Sequence, residues 1–224
     1  MLGNIAHQWR QPLSIISTAS TGAKLQKQLN ILSDEQLDSS LTAINNSAQY
    51  LSQTIDDFRG FFNPTNNVIV CINIKEIVSK TLTLIKSQFV SNNITIVENI
   101  EDYKLETISN ELIQVLINIL NNARDILITK DDKEKRIIFI NTYKKENVSH
   151  IEILDNGNGI KEEIIDKIFE PYFTTKDKSQ GTGIGLYMSY DIISNHLHGE
   201  LSASNEVYKY EELEYTGAKF TIKI

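Results

Sequence analysis

The most constraining feature of this sequence is a helical apolar repeat that runs through its first 62 residues. From Leu37 to Phe62, apolar side chains recur without a break at alternating spacings of four and three residues. A shorter run with the same alternation extends from Ile5 to Ala23. This spacing is typical of the seam of a coiled coil or helical bundle. The two runs therefore predict two helices, the second from about Asp34 to Phe61.

The segment between the two runs predicts where the second helix begins. Ser33 precedes Gln36 by three residues, which is the arrangement of a capping box. Two helices cannot cover both of their apolar stripes, so we expect a helical hairpin that pairs with a second copy in a four-helix bundle. A single hairpin packed on the rest of the chain is the alternative.

The remaining sequence changes to alternating strand and helix patterns after a turn-rich segment around Pro64. This turn-rich segment divides the chain into two predicted domains, residues 1–66 and 67–224. The second domain contains a predicted hairpin around 144–147 and a helix from Glu111 to about Ile128, capped by Ser109 or Asn110. We expect an α+β fold with helices on one face of a mainly antiparallel sheet.

Composition excludes some classes of function. The chain has 22 Lys and Arg against 29 Asp and Glu, and the basic residues do not cluster, so nucleic acid is not an expected partner. Cys71 is the only cysteine, which is typical of a reducing, cytoplasmic setting, and its apolar neighbours predict that it is buried. No apolar run reaches the roughly 18–20 residues that cross a bilayer, so membrane attachment would require segments outside this chain.

Two glycine-rich segments are candidates for a phosphate-binding site or for simple turns. Asp155–Gly159 follows a predicted strand, and Gly181–Leu186 precedes a helical pattern. Glycines allow positive φ angles and close backbone approach to a phosphate. No strand precedes the second segment, so a Rossmann dinucleotide site is not predicted, and the chain has no P-loop sequence.

Two asparagines on one predicted helix are candidate ligands. Asn118 and Asn122 are four residues apart and share a face of the helix from Glu111. Asparagine is a poor residue for the interior of a helix. The pair could stand at a solvent-exposed edge, or it could supply oxygens to Mg²⁺ and hydrogen bonds to phosphate.

Taken in order along the chain, these segments resemble the conserved boxes of histidine protein kinases. The N, G1, F and G2 boxes are matched by Asn118–Ala123, Asp155–Gly159, Ile168–Phe173 and Gly181–Leu186, and Ala6–Leu13 resembles the H box. The resemblance implies a dimerisation and phosphotransfer hairpin followed by an ATP-binding domain of the Bergerat fold, an α/β sandwich.

The resemblance also implies roles for individual residues. His7 would be the phosphoacceptor, and Asn122 would ligate Mg²⁺. The other residues of the ATP site would be Asn118 at the phosphates, Asp155 at the adenine amine, Gly157 and Gly159 beside it, Phe173 at the base of the lid, and Gly181, Gly183, Gly185 and Leu186 in the last box. Asp125 stands where many members have lysine, so Arg124 or Lys176 is expected to balance the phosphate charge.

The implied activity is ATP-dependent autophosphorylation of a homodimer, followed by transfer to an aspartate on the receiver domain of a separate response regulator. Gln8 departs from the family, because many members have a carboxylate directly after the histidine and an amide cannot take a proton. Gln11, one turn after His7, matches a position used in dephosphorylating the receiver, so it predicts an additional phosphatase activity.

Other functions fit parts of the pattern. Gyrase-type and chaperone ATPases share the ATP-binding fold, but they carry a carboxylate where Asn118 stands. The absence of that carboxylate from this chain favours phosphotransfer over hydrolysis. Because the Gln8 amide cannot take a proton, two alternatives remain: a catalytically weak nucleotide-binding scaffold, or a response-regulator phosphatase.

Overall fold

The structure of the chain, a computed structural model, describes residues 2–62, 68–131, 134–176 and 182–224. Within these ranges the side chains of 2–11, 50 and 53–62 are not described. The chain divides into two compact units. One consists of Met1–Asn63 and Thr174–Thr182, and the other consists of Pro64–Phe173 and Gly183–Ile224.

The first unit contains the predicted helical hairpin, formed by α1 (Leu2–Gln28) and α2 (Asp34–Phe62). The predicted capping box at the start of α2 is confirmed. The Gln36 backbone N–H donates to Ser33 Oγ at 3.2 Å, and the Ser33 N–H donates to Gln36 Oε1 at 3.1 Å. These two bonds satisfy backbone donors that would otherwise be orphaned at the helix start.

The hairpin buries only part of its apolar surface. On α1, the predicted seam residues Pro12, Ile16 and Ala19 are at least partly buried. On α2, Leu37 and Leu41 are 36% and 54% exposed. Packing on α1 therefore leaves these two residues of the α2 repeat largely uncovered.

The second unit is α+β, as the sequence predicts. Its elements are β1 (Val70–Asn73), α3 (Ile74–Ser91), β2 (Ile94–Ile100), β3 (Lys104–Thr107), α4 (Ser109–Leu127), β4 (Arg136–Lys145), β5 (Val148–Asp155), α5 (Glu162–Ile165), α6 (Gly185–Asp191), a π-helical turn (Ile192–His196), β6 (Glu200–Tyr210) and β7 (Leu213–Lys223). The five-stranded sheet has the order β2-β4-β5-β7-β6, and β1 and β3 form a separate two-stranded sheet.

One continuous core joins the helices of this unit to the five-stranded sheet. The apolar face of α4, for example Leu116 and Ile119, is buried together with Phe89 of α3 and Ile138 of β4. The helices thus cover one face of the sheet, and α4 contacts both β5 and α6. Within the described residues, no helix is both long and apolar enough to cross a membrane.

The prediction of a mainly antiparallel sheet is confirmed: in the five-stranded sheet β2 pairs with β4 in parallel, and the other three strand pairings are antiparallel. Two local expectations are corrected. The α4 cap prediction is wrong, since Ile108 occupies the cap position and makes no side-chain hydrogen bond. Cys71 is exposed rather than buried, because β1 pairs only with β3 and lies outside the main sheet.

Candidate functional site

The first part of the candidate site is the contact between α4 and α6. Asn118, halfway along α4, donates through Nδ2 to Gly185 O and to Ser189 Oγ, each at 3.3 Å. Ser189 is buried, and its hydroxyl also donates to Gly185 O at 2.9 Å. The Asn118 side-chain oxygen accepts no hydrogen bond from the described residues, so it is available to a ligand. Asn122 is half-buried one helical turn further on, on the same side of α4.

The second part is Asp155, the last residue of β5. It is only 4% exposed. Its Oδ1 accepts hydrogen bonds from the backbone N–H groups of Gly157, at 2.8 Å, and Ala218, at 3.2 Å. Oδ2 accepts none from the described part of the chain. Asp155 therefore presents one carboxylate oxygen that can accept a hydrogen bond from a ligand.

The electrostatic environment of Asp155 is that of a desolvated carboxylate. Burial raises the pKa of its carboxyl above the usual value, while the two backbone amides and the nearby Lys130 oppose that rise. A buried carboxylate whose pKa is raised by desolvation is typical of a functional site rather than of a surface ion pair.

Asn156 helps to hold Asp155 in place at the end of β5. It was not predicted from the sequence to have a role in the site. Its side chain is buried and bridges to the start of β4, accepting from Ile137 N–H at 2.9 Å and donating to Lys135 O at 2.8 Å. Lys130 Nζ donates to the Asn156 carbonyl at 2.9 Å. A buried amide with all of these partners fixes the end of β5 relative to β4.

The glycines after Asp155 are required by the fold itself. A Cβ on Gly157 would lie 2.4 Å from Ile126 Cγ2. Gly159 has a φ of +77°, and its Cβ would lie 2.5 Å from Asn205 Oδ1. Both glycines therefore allow close packing within the chain, independent of any ligand.

The two described glycines of the last box differ from each other. Gly183 has a φ of +64°, and its Cβ would lie 2.5 Å from the Tyr172 carbonyl carbon. For Gly185 the nearest described atom to a Cβ is Asn118 Cγ, at 3.9 Å. Gly183 is thus required by the backbone, whereas the described residues leave open space at Gly185. A glycine beside open space fits a position where a ligand approaches the backbone closely.

Aromatic and apolar residues of the F and G2 segments pack on the core. Phe169, Phe173 and Leu186 are partly buried against it. The Phe169 ring meets the edge of Phe220 at a centroid distance of 6.4 Å. The described contacts of these residues are packing contacts within the domain.

Other predicted residues belong to the first unit or have side chains that are not described. His7, Gln8 and Gln11 belong to α1, and their side chains lie outside the described residues, as does Gly181. Lys176 falls in the first unit, where its N–H donates to Thr174 Oγ1 at 3.1 Å.

The Arg124 side chain makes several hydrogen bonds within the second unit. Its guanidinium donates to Asp125 Oδ1 at 2.6 Å, to Asn121 Oδ1 at 3.0 Å and to Gln88 of α3. These contacts tie the guanidinium both to α3 and to neighbouring side chains of α4 itself.

Residues 107–224, which include all of these site elements in the second unit, match the family described as histidine kinase-, DNA gyrase B- and HSP90-like ATPases. The chain belongs to this family. Sporulation kinase A of Bacillus subtilis is 28% identical across 88% of this chain and 30% of its own length. Signal transduction histidine-protein kinase AtoS of Escherichia coli is 28% identical across 99% of this chain and 34% of its own length. The chain spans about a third of the length of these two curated relatives.

Solved structures agree with this assignment. The catalytic domain of the histidine kinase ThkA matches with a TM-score of 0.58 and 27% identity, over 70% of this chain and 95% of that one. A structure of ThkA in complex with the response regulator protein TrrA matches the whole chain, with a TM-score of 0.72, 23% identity and 60% coverage of that chain. The second unit is thus a Bergerat-type ATPase domain of the histidine protein kinase class, and the resemblance drawn from the five boxes is confirmed.

Proposed function

We propose that this ATPase-family chain phosphorylates His7 from ATP and transfers the phosphoryl group to an aspartate of a response-regulator receiver domain. The observation that carries the proposal is the buried carboxylate of Asp155, with one oxygen available to the amine of adenine. In this proposal residues 1–66 are the dimerisation and phosphotransfer domain, and residues 67–224 are the catalytic domain. The ThkA–TrrA complex supports a receiver domain as the partner, since its histidine kinase is similar to this chain.

The site residues would divide the nucleotide among them. Asp155 would accept from the adenine amine, with Gly157 and Gly159 shaping the wall beside it. Asn118 and the backbone at Gly183 and Gly185 would contact the phosphates. Asn122 would ligate Mg²⁺, which neutralises phosphate charge when bound. The described residues contain no group of three or more His, Cys, Asp or Glu that could hold a metal by themselves.

The chemistry requires a neutral imidazole at His7. The lone pair of one ring nitrogen attacks the γ-phosphorus, an N–P bond forms, and the bond from phosphorus to the bridging oxygen of ADP breaks. The proton on the other ring nitrogen then passes to solvent water, since the Gln8 amide cannot take it. Catalysis would depend mainly on positioning and on neutralising the phosphate charge.

A homodimer would explain the uncovered apolar surface of the hairpin. Leu37 and Leu41 are exposed on α2, and near the same end of the hairpin Leu25 of α1 and Leu29, just after α1, are 54% and 59% exposed. A second hairpin packed on these stripes would form the four-helix bundle predicted from the repeat. Analytical ultracentrifugation should show a dimer, and charging Leu41 by substitution with Glu should dissociate it.

The chemical stability of the label tests the proposed reaction. The chain is incubated with Mg²⁺ and γ-labelled ATP, and protein-bound label and free phosphate are measured separately. We expect label on the protein that is lost in acid and retained in alkali, as for a phosphorus–nitrogen bond. Label that survives acid would indicate a hydroxyl acceptor. Free phosphate without protein label would indicate an ATPase, and intact ATP would indicate a nucleotide-binding scaffold.

Exchanging glycine for alanine separates the roles of the two G2 glycines. Gly183→Ala should lower the free energy of unfolding by about 1–3 kcal/mol, because its Cβ meets the Tyr172 backbone at a positive φ. Gly185→Ala should leave the thermal midpoint unchanged but weaken MgATP binding, measured by calorimetry. If Gly185→Ala binds MgATP like the wild type, the phosphates do not lie against this residue.

The proton acceptor missing at position 8 can be supplied by substitution. We expect Gln8→Glu to raise the autophosphorylation rate about tenfold or more, because a carboxylate next to His7 can take the imidazole proton. The initial rate of acid-labile label at saturating MgATP is the measurement, with Gln8→Ala as the control. An unchanged or lower rate in Gln8→Glu would show that proton removal by this residue does not limit the reaction.

The second candidate activity is dephosphorylation of the receiver, and Gln11 is the residue that favours it. Its amide, one turn after His7, would orient water at the receiver's phospho-aspartate. Gln11→Ala should slow the loss of phosphate from a cognate phosphorylated receiver about tenfold, while autophosphorylation of His7 continues. Equal rates of dephosphorylation in the wild type and the variant would remove the phosphatase activity from the proposal.

A further inference from the structure

The hairpin of β6 and β7 is longer than the strand beside it. Pairing of β7 with β5 ends at Leu154 and Lys219, whereas pairing of β6 with β7 continues to Tyr210 and Leu213. Residues 205–218, here called the hairpin extension, therefore project beyond the end of β5. An isolated two-stranded hairpin is marginally stable in water, so contacts with neighbouring segments must hold the extension in place.

Those contacts are made with the G1 segment, residues 155–160. The Asn205 side chain binds both backbone groups of one residue, accepting from Ile160 N–H at 2.7 Å and donating to Ile160 O at 2.6 Å. On the opposite strand, Thr216 O accepts from Asn158 N–H at 3.0 Å. The far end of the G1 segment is thus bonded to both strands of the extension.

The extension also binds Asp155 itself. Tyr208 Oη donates to the Asp155 carbonyl at 3.1 Å, and Ala218 N–H donates to Asp155 Oδ1 at 3.2 Å. Gly217 lies so close that a Cβ on it would stand 1.6 Å from the Asp155 carbonyl oxygen. Main chain and carboxylate of Asp155 are therefore both held by the extension.

The ring of Tyr208 is fixed independently of its hydroxyl. Phe139 of β4 meets the ring of Tyr208 edge-on at a centroid distance of 5.3 Å and that of Tyr210 at 5.0 Å. The Tyr215 ring also lies near that of Tyr208, at a centroid distance of 5.9 Å. Removing the Tyr208 hydroxyl should therefore leave the ring, and the extension, in place.

We propose that the hairpin extension sets nucleobase specificity: Tyr208 and Asn205 are positioning residues that hold Asp155 where it accepts a hydrogen bond from adenine. The inference rests on the proposed ATP site. Adenine carries an amine at the six-position, where guanine carries a carbonyl oxygen that a carboxylate repels. A small displacement of Asp155 weakens the hydrogen bond to adenine and therefore lowers the affinity for ATP. The affinity for GTP, which gains nothing from this carboxylate, stays the same. The ratio of ATP to GTP affinity thus measures the position of Asp155.

Single substitutions test this inference in the full chain. Calorimetric affinities for MgATP and MgGTP, and thermal midpoints, are measured for the wild type, Tyr208→Phe, Asn205→Ala and Tyr210→Phe. Tyr210→Phe is the matched control, since Tyr210 also packs on Phe139 but its hydroxyl has no hydrogen bond among the described residues. We expect Tyr208→Phe and Asn205→Ala to bind MgATP about 3- to 10-fold more weakly with unchanged MgGTP affinity. Tyr210→Phe should match the wild type.

Two results would overturn the inference. If Tyr208→Phe and Asn205→Ala keep the wild-type ratio of ATP to GTP affinity, the extension does not set specificity. A parallel loss of both affinities together with a lower thermal midpoint would show a role in stability alone. If the wild type prefers MgATP and the variants keep the same affinities for both nucleotides, only this inference is refuted. If the wild type binds no MgATP, the proposed function is refuted as well.

Discussion

Replacing His7 with alanine is expected to abolish phosphate incorporation while leaving MgATP affinity unchanged. The imidazole nitrogen is the proposed nucleophile, and alanine offers no lone pair for an N–P bond. The residues proposed to bind ATP in the second unit lie on α4, at the end of β5 and at the start of α6, so this substitution removes none of them. Label on the protein and calorimetric binding of MgATP measure the two properties separately.

A matched control for His7→Ala is His150→Gln. His150 stacks on the Tyr143 ring at a centroid distance of 4.8 Å, near the β4–β5 turn and at the opposite end of β5 from Asp155. This variant should retain full acid-labile label. If His7→Ala remains labelled at the wild-type level, or if His150→Gln loses its label, the phosphoacceptor is assigned to the wrong histidine.

The second large effect is expected from Asp155→Asn, which should weaken MgATP binding about 10- to 100-fold. The asparagine oxygen can keep the bonds from the Gly157 and Ala218 amides, which Oδ1 accepts now. Its NH₂ group then replaces the free carboxylate oxygen and faces the adenine amine, so a donor meets a donor. Affinity within threefold of the wild type would exclude Asp155 from adenine recognition.

Asp155→Asn should have the opposite effect on stability. Burial raises the pKa of Asp155 above the usual value of 3.8, so near neutral pH ionisation of this carboxyl favours the unfolded state. This destabilisation of the wild type decreases as the pH falls through the raised pKa toward 3.8. The variant should therefore have an equal or higher thermal midpoint at neutral pH, with a difference that narrows on acidification. A variant less stable than the wild type at pH 7 would show that the charge itself supports the fold.

Elements specified by local sequence could be predicted closely. The capping box from Ser33 to Gln36 placed the start of α2 correctly, because its two hydrogen bonds join residues three apart. The turn of the β4–β5 hairpin was also predicted at the right position, and Glu146 and Asn147 adopt the positive φ angles there. The order of the N, G1, F and G2 segments indicated the family before any geometry was known.

Features that depend on distant contacts could not be predicted. Tyr208 and Asp155 are 53 residues apart in sequence, and Asn205 and Ile160 are 45 apart, so no local pattern connects them. The parallel pairing of β2 with β4 requires a crossover through α4, which strand patterns alone do not specify. Cys71 has apolar neighbours yet is exposed, because burial depends on which sheet its strand joins.

The most direct test of the central claim is to locate the phosphoryl group by mass spectrometry. Trypsin cleavage after Arg10 releases Met1–Arg10, which contains His7 but no serine, threonine, tyrosine, aspartate or glutamate. After incubation with MgATP and digestion at neutral pH, this peptide should carry one phosphoryl group on His7, and incubation with ADP should leave it unmodified. An unmodified Met1–Arg10 peptide from a chain that has bound MgATP, or phosphate found only on other peptides, would contradict the proposed histidine phosphorylation.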